Sequence, residues 1–273
     1  MDVTGNVDTK NPQETNREVK KIYENMFNST PFDKVEYTLA DIVKLFDGKY
    51  PGYQKCDTLY HDLEHTLQAY LAMARIFDGL FKKNPVRISE ESVLLGLIAA
   101  LGHDTGFIKE IGDTEGSGGK YTLVHVDRGK EFMGTYLPRL KFKLSQIHYV
   151  KNIISCTGIW AELPRIPFTS EMEKETGYML GTADYLGQMS DSNYLAKLTE
   201  LYREYNEGGF LEYTSAQDLI NKTPVFFEKF VMKRLKEDYR SVYRFAANHF
   251  GGKNLYIDGI NRNMAQIQER HPS

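Results

Sequence analysis

"SEESVLLGLIAALGHDTG", residues 89–106, decides how the rest of the chain is read. Ser89 opens a helix whose middle, Val93 to Leu101, is nearly all apolar, so burial on most sides is expected. That apolar run leads straight into His103 and Asp104, followed by Gly106. An imidazole and a carboxylate at the end of a buried helix are costly to desolvate unless they pair or bind a cation. Two readings stand side by side: a hydrogen-bonded His–Asp pair capping the helix, or part of a metal site.

Helical periodicity recurs on both sides of this segment, and no series of alternating strands competes with it. Residues 14–28 place Val19, Ile22, Tyr23 and Met26 on one stripe, and a second helix follows over 38–46 with Thr38 as its N-cap. A long helix runs from Thr58 to about Phe81. After the loop "GDTEGSGGK", 112–120, helical patterns resume at 121–137, 143–156, 170–189, 192–206, 224–249 and 255–269. Pro164 and Pro167 punctuate the approach to the 170–189 helix. With no repeat or linker to divide it, the chain reads as a single all-α domain, residues 13–273, behind a flexible polar tail, residues 1–12.

Composition narrows the function classes. At 41% hydrophobic and 26% charged residues the chain has the make-up of a soluble globular protein. A net charge of −3 gives no electrostatic case for a nucleic-acid duplex or an anionic membrane as partner. No signal peptide and no apolar run of about 20 residues is present. Cys56 and Cys156 form no CxxC pair; a reduced cytoplasmic setting is the simple reading, with one disulfide as the alternative.

Two further segments carry histidine or carboxylate in apolar context. "YHDLEHTLQAY", 60–70, spaces His61 and His65 four apart, so that on a helix both imidazoles would share a face. "MLGTADYLGQM", 179–189, sets Asp184 between small residues in another apolar helix. Together His65, His103, Asp104 and Asp184 offer two nitrogens and two carboxylates. That set suits one or two divalent ions such as Mn²⁺, Mg²⁺, Zn²⁺, Fe²⁺ or Ni²⁺ rather than a thiolate-closed structural zinc.

The order H…HD…D over an all-helical chain resembles the HD superfamily of metal-dependent phosphohydrolases. "YHDLEH", "HDTG" and "TAD" are most similar to the catalytic domain of class I cyclic nucleotide phosphodiesterases, whose first motif is Y-H-N-x-x-H. "YLAKLTELYREYNEGG", "VFFEKFVMKRL" and "INRNMAQIQ" resemble later family segments, so the resemblance spans roughly residues 55–268. It implies a compact multi-helix HD-domain bundle. It also divides the opening pair, with His65 a metal ligand and His61 the general acid that protonates the departing oxygen. A ligand imidazole must be neutral, whereas a proton donor must stay unliganded and titrate near the working pH.

The chain departs from the family pattern at several positions. Asp62 replaces an asparagine, adding a carboxylate beside the proposed acid, and Phe107 replaces a histidine behind the metal. His125 resembles a second-metal ligand of other HD enzymes, Cys156 lies near the position of another such histidine, and His148 reads as a helix-surface residue. Gln188 and Asp191 follow Asp184 on its helical face, Gln188 as a candidate substrate contact, and Lys109 lies within reach of a phosphate. Pro224 stands where the family has a glutamine that hydrogen-bonds the purine; proline offers no such amide.

The implied function is hydrolysis of a small-molecule phosphoester, foremost a phosphodiester such as a cyclic nucleotide. A metal-activated hydroxide oriented by Asp104 attacks phosphorus while His61 protonates the leaving oxygen. The alternatives are a nucleotide phosphomonoesterase, a non-catalytic nucleotide- or metal-binding sensor, and a di-iron HD oxygenase. Oligomeric state is not legible.

Overall fold

A helix buried on every side forms the axis of the structure. The computed structural model describes residues 1–28 and 31–270. In it α3 (Leu63–Lys83) is buried at every position from Glu64 through Leu80. Around it pack α1 (Pro12–Met26), α4 (Glu90–Gly102), α7 (Glu171–Met189) and α10 (Phe245–His249). α2 (Asp33–Phe46) and α6 (Leu144–Ile154) cover α4, and α5 (His125–Tyr136) lies against α6. α8 (Tyr194–Glu207), α9 (Ala216–Phe226) and α11 (Leu255–Arg270) close the other side. The described residues thus form an all-α bundle of eleven α-helices with no strand, only an isolated bridge between Tyr53 and Glu110. No helix among them is long and apolar enough to cross a membrane.

Local signals account for many boundaries. Ser89 and Ser170 cap α4 and α7 by accepting from Ser92 N and Glu173 N, each at 3.1 Å. The stripe Val19, Ile22, Tyr23 and Met26 is buried as its period requires.

Other expected boundaries are corrected. Thr38 is not an N-cap: α2 begins at Asp33, and the buried Thr38 hydroxyl donates to Lys34 O at 2.8 Å. α3 starts at Leu63 rather than Thr58, because Asp62 caps it by accepting from His65 N at 2.8 Å. His61 therefore precedes the helix instead of sharing its face with His65. The helix expected over 224–249 begins earlier, at Ala216 behind the Ser215 cap, and Pro224 lies inside it. Wide turns follow at Phe227–Val231 and Arg234–Asp238, and the run breaks at Arg240 and Ser241, with φ of 50° and 60°. The segment before α1 is docked on the bundle rather than trailing free. Val7 and Thr9 are buried, and Asp2 pairs with Arg75 in the middle of α3.

Candidate metal centre

Two close backbone approaches bring the chemistry-bearing helix ends together. At Gly187, α7 presses on α3 so tightly that a Cβ would lie 2.9 Å from Ala69 N, and this contact sets Asp184 against His65. At Gly106 a Cβ would lie 1.9 Å from His125 O, so the turn after α4 can seat Asp104 and Phe107 on the start of α5 only with glycine there.

Four side chains converge at this junction. His65 Nε2 is 3.0 Å from Asp104 Oδ2 and 3.2 Å from Asp184 Oδ1. His103 Nε2 is 3.2 Å from Asp104 Oδ2, 3.8 Å from Asp184 Oδ1 and 3.4 Å from His65 Nε2. All four residues are buried. His103 Nδ1 lies 2.8 Å from Ala100 O and His125 Nδ1 lies 2.7 Å from Thr122 O. A carbonyl can only accept, so each Nδ1 carries a proton and Nε2 is the nitrogen left to face an ion, as in metal-bound imidazoles. Asp104 Oδ2 is buried without a well-directed hydrogen bond despite its near neighbours. Donor atoms of His65, His103 and Asp104 all lie within 4.8 Å of one another, so this buried group could hold a metal ion. His125 sits further out, its Nε2 3.9 Å from Asp104 Oδ1.

Without an ion, the cluster stores protons. Burial alone would push the His65 imidazole down, but its contacts with Asp104 and Asp184 outweigh burial and raise its pKa to about 9. His103 is raised well above the ordinary range against the same opposition from burial, by Asp104 and then Asp184. Burial works against ionisation of Asp104 and Asp184, yet the two imidazoles hold both carboxyls low. A raised histidine stabilises the fold fully below about pH 6.5 and loses that contribution as pH climbs through about 9. An incoming cation must displace the protons of both His65 and His103. Affinity for Mn²⁺ should therefore strengthen by up to about a hundredfold per pH unit between about pH 6.5 and 8.5, up to two protons released per ion. Calorimetry in buffers of different ionisation enthalpy measures both quantities; a flat profile with no proton release would remove His65 from the ligand set.

Beside the cluster, His61 is held by a residue that the sequence reading missed. Its Nδ1 is 2.6 Å from Glu204 Oε2, while Glu204 Oε1 accepts from Leu59 N at 2.9 Å and Tyr60 N at 2.7 Å. The buried Glu204 carboxylate thus fixes both the imidazole and the backbone that carries it. The signal lay in α8, where Glu204 continues the buried stripe of Tyr194, Leu198 and Leu201. Phe107 stacks on His61 and on His125 with ring centroids 4.3 Å apart in each case, and the two imidazole centroids are 6.1 Å from each other.

The remaining candidates divide. Gln188 donates to Asp184 Oδ1 at 2.9 Å and accepts from Tyr60 OH at 2.5 Å, so its amide orients the carboxylate. Lys109 is turned away, its ammonium on Asp57 at 2.9 Å and Gly116 O at 2.6 Å. Asp191 is bound by Gln68 at 2.8 Å, and Asp62 is spent on its cap rather than standing beside His61 as a free carboxylate. His148 is exposed on α6. Cys156 is fully buried, its thiol pushed up by burial. Pro224 is buried in α9, and the neighbouring Phe226 reaches the cleft instead.

A narrow cleft of about 70 Å³ opens above the cluster, walled by His61, Asp104, Asp184, His125, Gln188 and aromatic side chains. Comparison with known proteins returned no match among curated proteins and none among solved structures. One family model matches residues 112–268 under the description Npun_R2479-like. The matched segment carries His125, Asp184 and Glu204, while His61, His65, His103 and Asp104 precede it. That match covers more than half of the chain, which belongs to the Npun_R2479-like family.

Proposed function

We propose that the chain is an HD-type, phosphodiesterase-like metal-dependent phosphohydrolase, residues 13–273 forming its domain. One observation carries the reading: two imidazoles and two carboxylates from α3, α4 and α7 meet in a buried cluster at the foot of a cleft, with both imidazole Nε2 atoms within 3.2 Å of Asp104 Oδ2. His65, His103, Asp104 and Asp184 would hold a divalent ion. When bound, such an ion supplies Lewis acidity, making water nucleophilic near neutral pH and neutralising charge on phosphoryl oxygens.

The chain's own residues supply the rest. His61, in the cleft wall and unshared with the cluster, gives its Nε2 proton to the leaving oxygen. Glu204 holds that imidazole through Nδ1 and so aims Nε2 into the cleft. Gln188 and Tyr60 keep Asp184 aimed at the cluster. Phe107 packs against both His61 and His125, whose ring centroids lie 6.1 Å apart, and gives the pair an apolar backing.

A panel of phosphoesters against protein reconstituted with Mn²⁺, Mg²⁺, Zn²⁺, Fe²⁺ or Ni²⁺ tests the reading. Turnover of bis-p-nitrophenyl phosphate is expected, with less than about a hundredfold preference between cyclic AMP and cyclic GMP, because apolar walls discriminate weakly. Failure to hydrolyse any ester with every metal bound would overturn it.

A further inference from the structure

Away from the metal cleft, a cavity of about 460 Å³ opens between the end of α3, the start of α7 and the segment 240–245. It shares no wall residue with the cleft. Glu171 in its wall and Asp184 in the metal cluster stand thirteen positions apart on α7, about 20 Å along the helix.

Four side chains of the wall are cations: Lys83, Arg87, Arg240 and Arg244. The wall has two acids, Glu171 and Glu175, so it carries a surplus of two positive charges. Arg87 Nη2 is 2.6 Å from Glu175 Oε1, and that carboxylate is only 15% exposed. Arg240 Nη1 is 3.0 Å from Glu171 Oε2, but these side chains are 58% and 77% exposed, and so open a pair contributes little. Lys83 and Arg244 carry no ion pair among the described residues. The Lys83 ammonium lies 5.7 Å from the Phe245 ring and the Arg240 guanidinium 5.8 Å from the Tyr178 ring, so both charges stand beside buried rings that line the cavity.

The backbone contributes twice. Arg240 and Ser241, at φ of 50° and 60°, are adjacent left-handed residues that each carry a Cβ. That costly turn brings Arg240 and Arg244 into the wall of one cavity, and strain of this kind gathers where ligands are clamped. The amino end of α7, where Glu171 and Met172 line the cavity, adds the positive end of its dipole. A cation or an uncharged ring would leave the surplus charge unanswered. A phosphate group answers it, because guanidinium forks take two of its oxygens at once and an ammonium adds a point charge.

We propose that this cavity is a binding site for a small phosphate-bearing dianion, held by Lys83 and Arg244, with Arg240 released from Glu171 to join them. The site is independent of the phosphohydrolase reading, since none of its residues belongs to the metal cluster or its cleft.

Titration calorimetry of the metal-free chain with inorganic pyrophosphate tests the site. Saturable binding is expected, weakening as salt is raised. Lys83→Gln and Arg244→Gln, both at exposed positions, should each weaken it about tenfold, and the double variant should abolish it. Lys151→Gln, in a different cavity beside α6, should leave it unchanged. Heats that never saturate, affinity unmoved in the double variant, or an equal loss in Lys151→Gln would overturn the site. Sedimentation with phosphatidic acid vesicles, against phosphatidylcholine vesicles, separates two sources of the same chemistry. Pyrophosphate binding without capture by either vesicle assigns the site to a free phosphate ester; capture by phosphatidic acid that the double variant loses assigns it to a lipid headgroup.

Discussion

His61→Ala should cost about 10²–10⁴-fold in turnover of an unactivated phosphodiester while leaving the metal in place. The separation follows from geometry. His65 Nε2 lies inside the cluster, 3.0 and 3.2 Å from two carboxylates, whereas His61 is turned to Glu204 at 2.6 Å. His65→Ala should therefore lose bound metal together with activity. An activated leaving group such as p-nitrophenolate needs no proton, so it should restore much of the rate of His61→Ala and none of that of His65→Ala. Glu204→Gln leaves one acceptor oxygen where two now serve His61 Nδ1 and the Leu59 and Tyr60 N–H groups, so it should slow the unactivated diester and leave metal content unchanged. Metal content measured on the same preparations decides the matter. Equal metal loss in both histidine variants would end the assignment of separate roles.

The parts of this site that were legible in the sequence are those whose cost is local. His103 and Asp104 end a helix with ten buried positions, and Asp184 lies in a run of α7 that is buried from Thr176 to Gly187. A charge in such a run needs a partner, and that need is visible in one dimension. The partner is not. Glu204 lies 143 residues from His61, and nothing in either segment states that they meet. Spacing misled at His61 itself: four residues suggest a shared helix face, but the Asp62 cap starts the helix after it. The all-α class and most helix positions follow from period and caps. The region after Pro224 does not, because its break falls on Arg240 and Ser241, residues with no intrinsic preference for positive φ. There the surrounding packing, including Tyr239 OH bonded to Cys156 O at 2.6 Å, overrides local propensity.

Arg75 gives the same lesson in stability rather than catalysis. It sits in the all-buried stretch of α3 with 2% exposure, so its charge demands an opposite one. The carboxylate arrives from Asp2, which also accepts from Asn6 N and Val7 N at 3.1 Å each and so ties the first turn of the chain to the ion pair. Tyr256 OH, 3.1 Å from Arg75 Nη1, and the Phe250 ring, 5.3 Å from the guanidinium, complete the surroundings. Removing one partner of a buried pair strands the other charge, at a cost of about 3–5 kcal/mol. Asp2→Asn should therefore lower Tm by roughly 6–20 °C, since a kilocalorie is worth about 2–4 °C in a domain approaching this size. Asp2 is held below the usual carboxyl range: burial opposes its ionisation and Arg75 more than compensates. That contribution is present above about pH 4 and is lost as pH falls, so the wild type and Asp2→Asn should converge in stability in acid. Arg75→Met removes the stranded charge, and the double variant should recover part of the loss of Asp2→Asn. A change in Tm under about 2 °C for Asp2→Asn at neutral pH would mean that the guanidinium finds water or another acceptor once Asp2 is gone.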